Sequence, residues 1–473
     1  MTRPVATSGD RPLSVGQLTI FGFPAMPHAF VAGALYSILP AYYAANTTVS
    51  LAAIGAIAGA SRIFDALNDP IVGYLSDRTK TRLGPRKPWL LGAILFCVLS
   101  ITQLFQPPAD ATIIYFAWWS TVLYTGFTMF EIPRSAWSAE LSRDYHERTR
   151  IVTYVALFNI AGSLSFYAVP IVTSLVTGGT TQITGETLSL ISWIYMVVMP
   201  LGLVAAVLFV PSGRQVTTKP ATMKGVFASL WRSKPLLRYC TIVTAWGLGQ
   251  GALIGTVFIF QSDYMQMGNY FVFIMIALFA ASIVALPVWN RVLKTMDRHR
   301  LWALCVALPA LTAPLILFFE PGPTAFIPAL LFAVFKGFMS SPQNFLPTAV
   351  LSDVIDYDTM KTGSNKAANF FAFQNILIKI AMAVGGAIAF AVMDVMGYRI
   401  GQPNDATANL GLLIAYMVIP IGFHVLTAAL AWNFPITAAK HKIIQRRLES
   451  RRAPVQPEPE VDVTIDAQPI PAA

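Results

Sequence analysis

A handful of charged side chains stand inside long apolar stretches. Asp65 and Asp69 lie four residues apart, so on a helix they share one face, with Arg62 one turn before Asp65. Glu131 closes a second apolar stretch, with Thr128 one turn earlier on the same face. Lys379 lies in a third, sharing a face with Phe371 and Asn375, and Gln374 sits beside them. Ionisable groups at membrane depth are costly, and by default they mark ion or substrate pathways. Two neighbouring carboxylates repel, and burial strips their hydration. Binding a proton, or coordinating a cation through oxygen, relieves both penalties. Asn68 adds a possible carbonyl ligand. A lysine at that depth needs an anionic partner, and the acids of the other two stretches are the candidates. The structural alternative is ion pairing without a transported ion, of the aspartates with Arg62 or another helix and of Glu131 with Arg134.

The elements that carry these residues are membrane helices. The chain has 473 residues, 55% hydrophobic and 12% charged, too much apolar surface for a soluble protein of this size. Twelve apolar runs lie between residues 18 and 433, each close to the ~20 residues a spanning helix needs. They are too long and continuous for the alternating pattern of a membrane β-barrel. The expected fold is therefore all-α, with twelve transmembrane helices in two six-helix bundles. The expected divisions are an N-terminal segment 1–17, a first bundle 18–210, a linker 211–238, a second bundle 239–435 and a partly disordered tail 436–473. Residues 1–17 are polar, with no short apolar core followed by a small-residue cleavage site, so the first run, 18–46, is expected to be retained.

The net charge of +10 records orientation. Lys and Arg crowd alternate loops, after runs two, four, six, eight and ten, and are almost missing from the others. This positive-inside pattern places both termini in the cytoplasm and the protein in the cytoplasmic (inner) membrane. It argues against nucleic acid as a partner. Cys97, Cys240 and Cys305 are scattered and form neither a metal spacing nor a disulfide framework.

The charged loops offer a gate. Residues 73–78 and the arginine-rich stretch after them, with Asp77, Arg78 and Arg86, read as a loop that latches onto neighbouring helices. A second charged loop, 139–150, holds Glu140 and Arg148. After run ten (325–348), Asp353, Asp356 and Asp358 resemble a divalent-metal cluster, but the central glycine and closing glutamate of a calcium loop are missing. Asp353, Asp356 and Asp358 are instead expected to pair with cytoplasmic arginines as a gate. Ala139-Glu-Leu-Ser142 and Ala349-Val-Leu-Ser352 occupy equivalent places in the two halves, each downstream of a proline, which indicates a parallel repeat.

Other features stay open. Pro24, Pro27 and Pro40 either kink the first helix for packing or break it beside a transport path. His28 is a packing residue or a proton relay. Lys336 is a second buried cation with no partner in sight. The basic stretch 440–452 is expected as a short helix on anionic headgroups.

At these residues the chain resembles the major facilitator superfamily, and within it the glycoside–pentoside–hexuronide:cation symporter family. The segment Arg62-Ile-Phe-Asp-Ala-Leu-Asn-Asp-Pro70 is the most specific. Residues 73–88, 140–150 and Asp353-Val-Ile-Asp-Tyr-Asp358 with Thr362-Gly363 add to it, and the resemblance covers roughly 18–435. It implies two bundles rocking about a central cavity. It implies a coupling cation, Na⁺ or H⁺, held by Asp65, Asp69 and Thr128, with Asn68 alongside. It also implies that Glu131, Gln374 and Lys379 face substrate; by helix spacing Asn375 shares the face of Lys379. Three family positions differ: the span-one aspartate that grips sugar falls near His28-Ala29, the span-five arginine on Ala156 and the span-four tryptophan on Ser135. The cation site is thus intact while the galactoside grip is not.

The expected function is cation-coupled symport of a small solute, foremost a sugar, glycoside or hexuronide derivative. The alternative is an uncoupled carrier, or one moving a lipid or amphiphilic organic ion, since the family includes vertebrate lysolipid carriers. No enzymatic motif is present, no cofactor is expected beyond the coupling ion, and the protein is expected to work as a monomer among membrane lipids.

Overall fold

The computed structural model describes residues 12–47, 49–108, 110–142, 144–212, 233–363 and 367–452, and all regular structure among them is helical. The first crossing is α1 (Val15–Gly22) followed by α2 (Ala25–Asn46). The break falls at Phe23-Pro24, whereas Pro40 stays inside α2. Then come α3 (Leu51–Arg78), α4 (Lys87–Phe105), α5 (Ile113–Leu141), α6 (Tyr145–Thr177) and α7 (Gly185–Phe209). The second half holds α8 (Lys234–Ile259), α9 (Phe271–Val292), α10 (Arg298–Thr312), α11 (Phe326–Ser340), α12 (Leu346–Thr362), α13 (Ala367–Val395), α14 (Ala406–Leu413) and α15 (Ile419–Trp432). A π-helical turn, Ile414–Val418, joins the last two. Among the described residues, 11 helical segments are long and apolar enough to cross a membrane. The less apolar α5, rich in Tyr, Trp and Thr and carrying Glu131, Arg134 and Glu140, packs against α3 and α4 as the remaining crossing.

Three segments differ from the sequence reading. Residues 73–78 are the last turns of α3 rather than a loop, and 139–150 is helical on both sides of a short break at Ser142. Hydropathy falls where a helix leaves the hydrocarbon, but its backbone hydrogen bonding does not have to stop there. The tenth crossing is also not continuous: α11 ends at Ser340, a 3₁₀ turn spans Pro342–Asn344, and α12 runs on to Thr362. Pro347 stands in the first turn of α12, where a missing N–H costs no helix bond.

The halves meet mainly along α13, which packs on α8 of its own half and on α3 of the other. The α8–α13 crossing is tight because glycines face backbone. A Cβ on Gly251 would lie 1.9 Å from the Met382 carbonyl oxygen, and one on Gly385 2.0 Å from that of Leu248. Such small-residue crossings replace the hydrophobic drive that lipid cannot supply. The basic tail forms α16 (Ala438–Arg452), docked on α12 with Ile444 buried. Most of the expected linker, at 213–232, and the chain ends, 1–11 and 453–473, lie outside the described residues.

Candidate cation and solute site

Helix periodicity on α3 turns Arg62, Asp65 and Asp69 toward α5 and α13. Lys379 of α13 reaches across the seam, its Nζ 2.8 Å from Asp65 Oδ2 and 2.7 Å from Asp69 Oδ2. Thr128 on α5 donates its hydroxyl to Asp65 Oδ1 at 2.8 Å. The Asp65 and Asp69 side chains are 8% and 17% exposed, that of Lys379 23%, so they are largely desolvated but not sealed. Asp69 Oδ1 is buried and accepts no hydrogen bond, and the Asn68 amide nitrogen beside it is likewise unpartnered. Arg62 donates to the Tyr124 hydroxyl at 3.1 Å. The group therefore offers four carboxylate oxygens and a hydroxyl, a donor set suited to a hard cation or a proton. The Lys379 ammonium holds the place between the two carboxylates.

Glu131 lies further along α5 with a side chain 44% exposed, and His28 Nε2 is 3.6 Å from its Oε1. The His28 ring packs between Phe127 and Phe130, with centroids 4.4 and 4.8 Å away. Gln374 is buried within the second half and accepts from the Tyr239 hydroxyl, while Asn375 is on the exposed side of α13.

A cavity of about 330 Å³ opens between the halves, walled by α2 and α6 on one side and by α8 to α11 and α15 on the other. Its polar lining includes Tyr167, Gln250, Lys336, Gln343, Tyr416 and His424. Glu131, Gln374, Asn375 and Lys379, expected from sequence to face solute, are not among its lining residues. A smaller cavity of about 50 Å³, lined by Arg62, Tyr124 and Phe390, shares Ile254 with the larger one. Ile254 thus stands between the arginine neighbouring the acid pair and the larger space.

A family model described as MFS/sugar transport protein matches residues 20–438. The chain belongs to that family. Among curated proteins, a putative glycoside/cation symporter of Escherichia coli K12 is 24% identical, over 90% of this chain and 92% of its own. The isoprimeverose transporter of Lactiplantibacillus pentosus is 26% identical, over 81% of each. A solved structure of a variant of the nucleoside transporter NupG superposes with a TM-score of 0.64 at 14% identity, over 89% of this chain and 99% of that one, and so shares the fold.

The charged residues at the basic end of this transporter form two separate latches. In the first half, the buried Arg86 guanidinium meets Glu140 at 2.7 Å, Asp77 at 2.5 Å and the Ser76 hydroxyl at 2.8 Å. Arg78 lies over the Tyr74 ring, 4.2 Å from its centroid. Arg148 donates to the carbonyls of Ser142 and Ala139 at 2.8 and 3.2 Å, closing the end of α5. In the second half, Arg298 meets Asp353 at 2.7 Å, and His441 of α16 lies 3.4 Å from Asp353 and 2.9 Å from Asp356. Burial pushes the Asp353 carboxyl up against the pull of Arg298 and His441. Among the described residues, no hydrogen bond or ion pair joins one latch to the other. The two occupy equivalent places in the halves, each tying the loop after the second helix of its half to the end of the fourth crossing.

Sequence reading missed two of these partners. His441 sits in a run of basic residues that read as a headgroup contact, and nothing local ties it to Asp356. Lys87, at the end of the basic loop after run two, has no assigned role in the sequence reading, yet its Nζ donates to the Val207 and Val210 carbonyls at 2.8 and 2.7 Å and caps α7.

Proposed function

We propose that the protein is a symporter of the cytoplasmic membrane, its basic end and both termini in the cytoplasm, that couples Na⁺ or H⁺ entry to import of a small solute. A sugar, glycoside or related derivative is the leading solute class, in line with the glycoside and isoprimeverose relatives. The observation that carries this reading is the Lys379 bridge to Asp65 and Asp69 across the seam between the halves. Lys379 stands where a coupling cation would bind. A Na⁺ ion or proton taken up by the pair competes with the ammonium for the same oxygens. Binding therefore loosens a contact between α3 and α13 and frees Lys379, which changes the relative energies of two bundle arrangements. A ligand can shift such an equilibrium only by its differential affinity for the two states. Solute that prefers the cation-loaded arrangement must then tighten cation binding by the same factor.

Counterflow in proteoliposomes with a panel of labelled glycosides, pentoses, uronates and lysolipids tests the reading. One or more sugar-type solutes should exchange, with the half-saturation concentration falling as Na⁺ or H⁺ rises. Exchange indifferent to both cations would support an uncoupled carrier instead.

A further inference from the structure

The last helix, α16, ties together the ends of three others. It follows α15 after a short turn in which Phe434 and Ile436 are buried. At its head the Ala438 N–H donates to Asp297 Oδ1 at 2.9 Å, and Asp297 is the residue that opens α10. One turn on, His441 Nε2 stands 2.9 Å from Asp356 Oδ2 and 3.4 Å from Asp353 Oδ1, both on α12. Ile444 is buried and Leu448 packs on the same core, so this face of α16 is committed to the second half. What it holds is a jointed piece: α12 begins only after the 3₁₀ turn Pro342–Asn344 that ends α11.

The charges around His441 balance only when its imidazole is protonated. Asp353 and Asp356 bring two negative charges, and Arg298 of α10, 2.7 Å from Asp353, supplies one positive charge. The neighbouring cations are directed elsewhere. Lys440 donates to the Pro435 carbonyl at 3.1 Å, Lys361 of α12 lies over the Tyr357 ring, Arg300 of α10 is 3.9 Å from Asp297, and Lys442 and Arg446 are exposed on α16. The other histidine of this end, His299 on α10, is buried with its ring against Phe434. Imidazole is the side chain whose charge ordinarily changes between about pH 5 and 8. A neutral His441 keeps one hydrogen bond, from Nε2–H to Asp356, and loses the attraction to both carboxylates.

We propose that α16 is a strap whose grip on the basic end of the second half is set by the charge on His441, tight when the imidazole is protonated and loose when it is neutral, and that the tight strap slows transport by holding α12 to α10. The attraction is present on the acid side and is lost as pH rises through the range in which the imidazole gives up its proton. Ile444 and the Asp297 contact remain, so the helix loosens without unfolding. With the basic end in the cytoplasm, as in the reading above, the strap slows import when the cytoplasm turns acid.

Hydrogen exchange of residues 438–448, in the purified full-length protein in nanodiscs and corrected for the intrinsic pH dependence of exchange, tests the grip without requiring transport. Wild-type protection should fall about tenfold from about pH 6 to about pH 8, the scale of one hydrogen bond between charged groups. His441→Gln should show the low protection at both pH values. His441→Lys, which keeps a positive charge and guards against a helix that simply fails to dock, should hold its protection on the alkaline side. Wild-type protection that does not change with pH overturns the proposal. So does a fall that persists in His441→Gln, which would assign the response to another group such as His299, or an equal fall in His441→Lys. In counterflow on the acid side, His441→Gln should exceed the wild type by about twofold or more, as expected where a conformational step limits the rate, and the two should match on the alkaline side. Equal rates on the acid side overturn the restraint on transport. Failure of every solute to exchange in either protein strikes the symporter reading instead, and the protection measurement still decides the strap.

Discussion

At the scale of single residues, the Asp65–Lys379–Asp69 bridge is a high-stakes contact because all three groups are largely out of water. Removing one member of a buried pair leaves an uncompensated charge, which costs about 3–5 kcal/mol, whereas removing both ends costs less. Lys379→Gln should accordingly lower the thermal stability of the detergent-solubilised protein. Adding Asp69→Asn to it should recover part of the loss, a non-additivity read by a double-mutant cycle. Additive losses would mean that the contact contributes nothing of its own. Thr128→Val removes the hydroxyl that donates to Asp65 while keeping the volume. It should weaken cation binding by roughly tenfold, the worth of a hydrogen bond to a charged group of ~1.5 kcal/mol, with little effect on expression. Isothermal titration with Na⁺ and pH titration of solute binding would show it.

At the scale of elements, the two latches hold helix ends rather than the membrane core. Arg86 presents a fork to Glu140, Asp77 and Ser76 together, a geometry that lysine cannot copy. Arg86→Lys should therefore behave much like Arg86→Ala, each costing about 2–4 kcal/mol as the buried Glu140 loses its partners. Near-complete rescue by lysine in a thermal-melt comparison would show that charge alone suffices. The fold's legibility divides at this scale too. Residues buried in lipid announce themselves: the apolar runs and the acids within them were readable, because hydrocarbon tolerates neither open backbone nor stray charge. The helix ends were not readable by the same rule. Ser76, Asp77 and Arg78 are polar because they leave the hydrocarbon, and polarity looks the same on the last turn of α3 as in a loop. The break between α11 and α12 does carry a local mark, Ser340-Ser-Pro-Gln-Asn344 ahead of Pro347, but a run drawn by hydropathy over 325–348 passes through it. The pairing of Asp353 with Arg298 was expected in kind, and that of Asp356 with His441 was not, since a contact between distant segments leaves no trace in local spacing.

At the scale of the whole molecule, the halves touch at the end away from the basic loops. There the Thr180 hydroxyl bonds Asn269, Thr181 donates to the Asn269 carbonyl at 2.5 Å, and Tyr167 packs on Phe271 and Phe279. Further in, the bridge of Lys379 to Asp65 and Asp69 adds a second tie. Alternating access requires contacts between the halves to open and close in turn. Cysteines placed at 180 and 269 and joined by a short thiol cross-linker should hold this end contact closed. Transport should then stop and return on reductive cleavage of the linker, while full activity of the cross-linked protein would show that the end contact never opens in the cycle. The legibility of the site is of the same kind. Asp65, Asp69, Thr128 and Lys379 were named from sequence and stand together, whereas the cavity lies against α8 to α11 and α15, lined by Lys336 and His424 that single-helix patterns left without a role. A cavity between helices is a property of their arrangement, and no one segment encodes it.

The most direct measurement of the coupling mechanism compares uphill uptake with exchange in the same proteoliposomes, wild type against Asp69→Asn. With an inward Na⁺ or H⁺ gradient, the wild type should concentrate a solute that exchanges in counterflow, and Asp69→Asn should only equilibrate it while still exchanging. Accumulation by Asp69→Asn equal to that of the wild type would contradict the assignment of coupling to the Asp65–Asp69 pair.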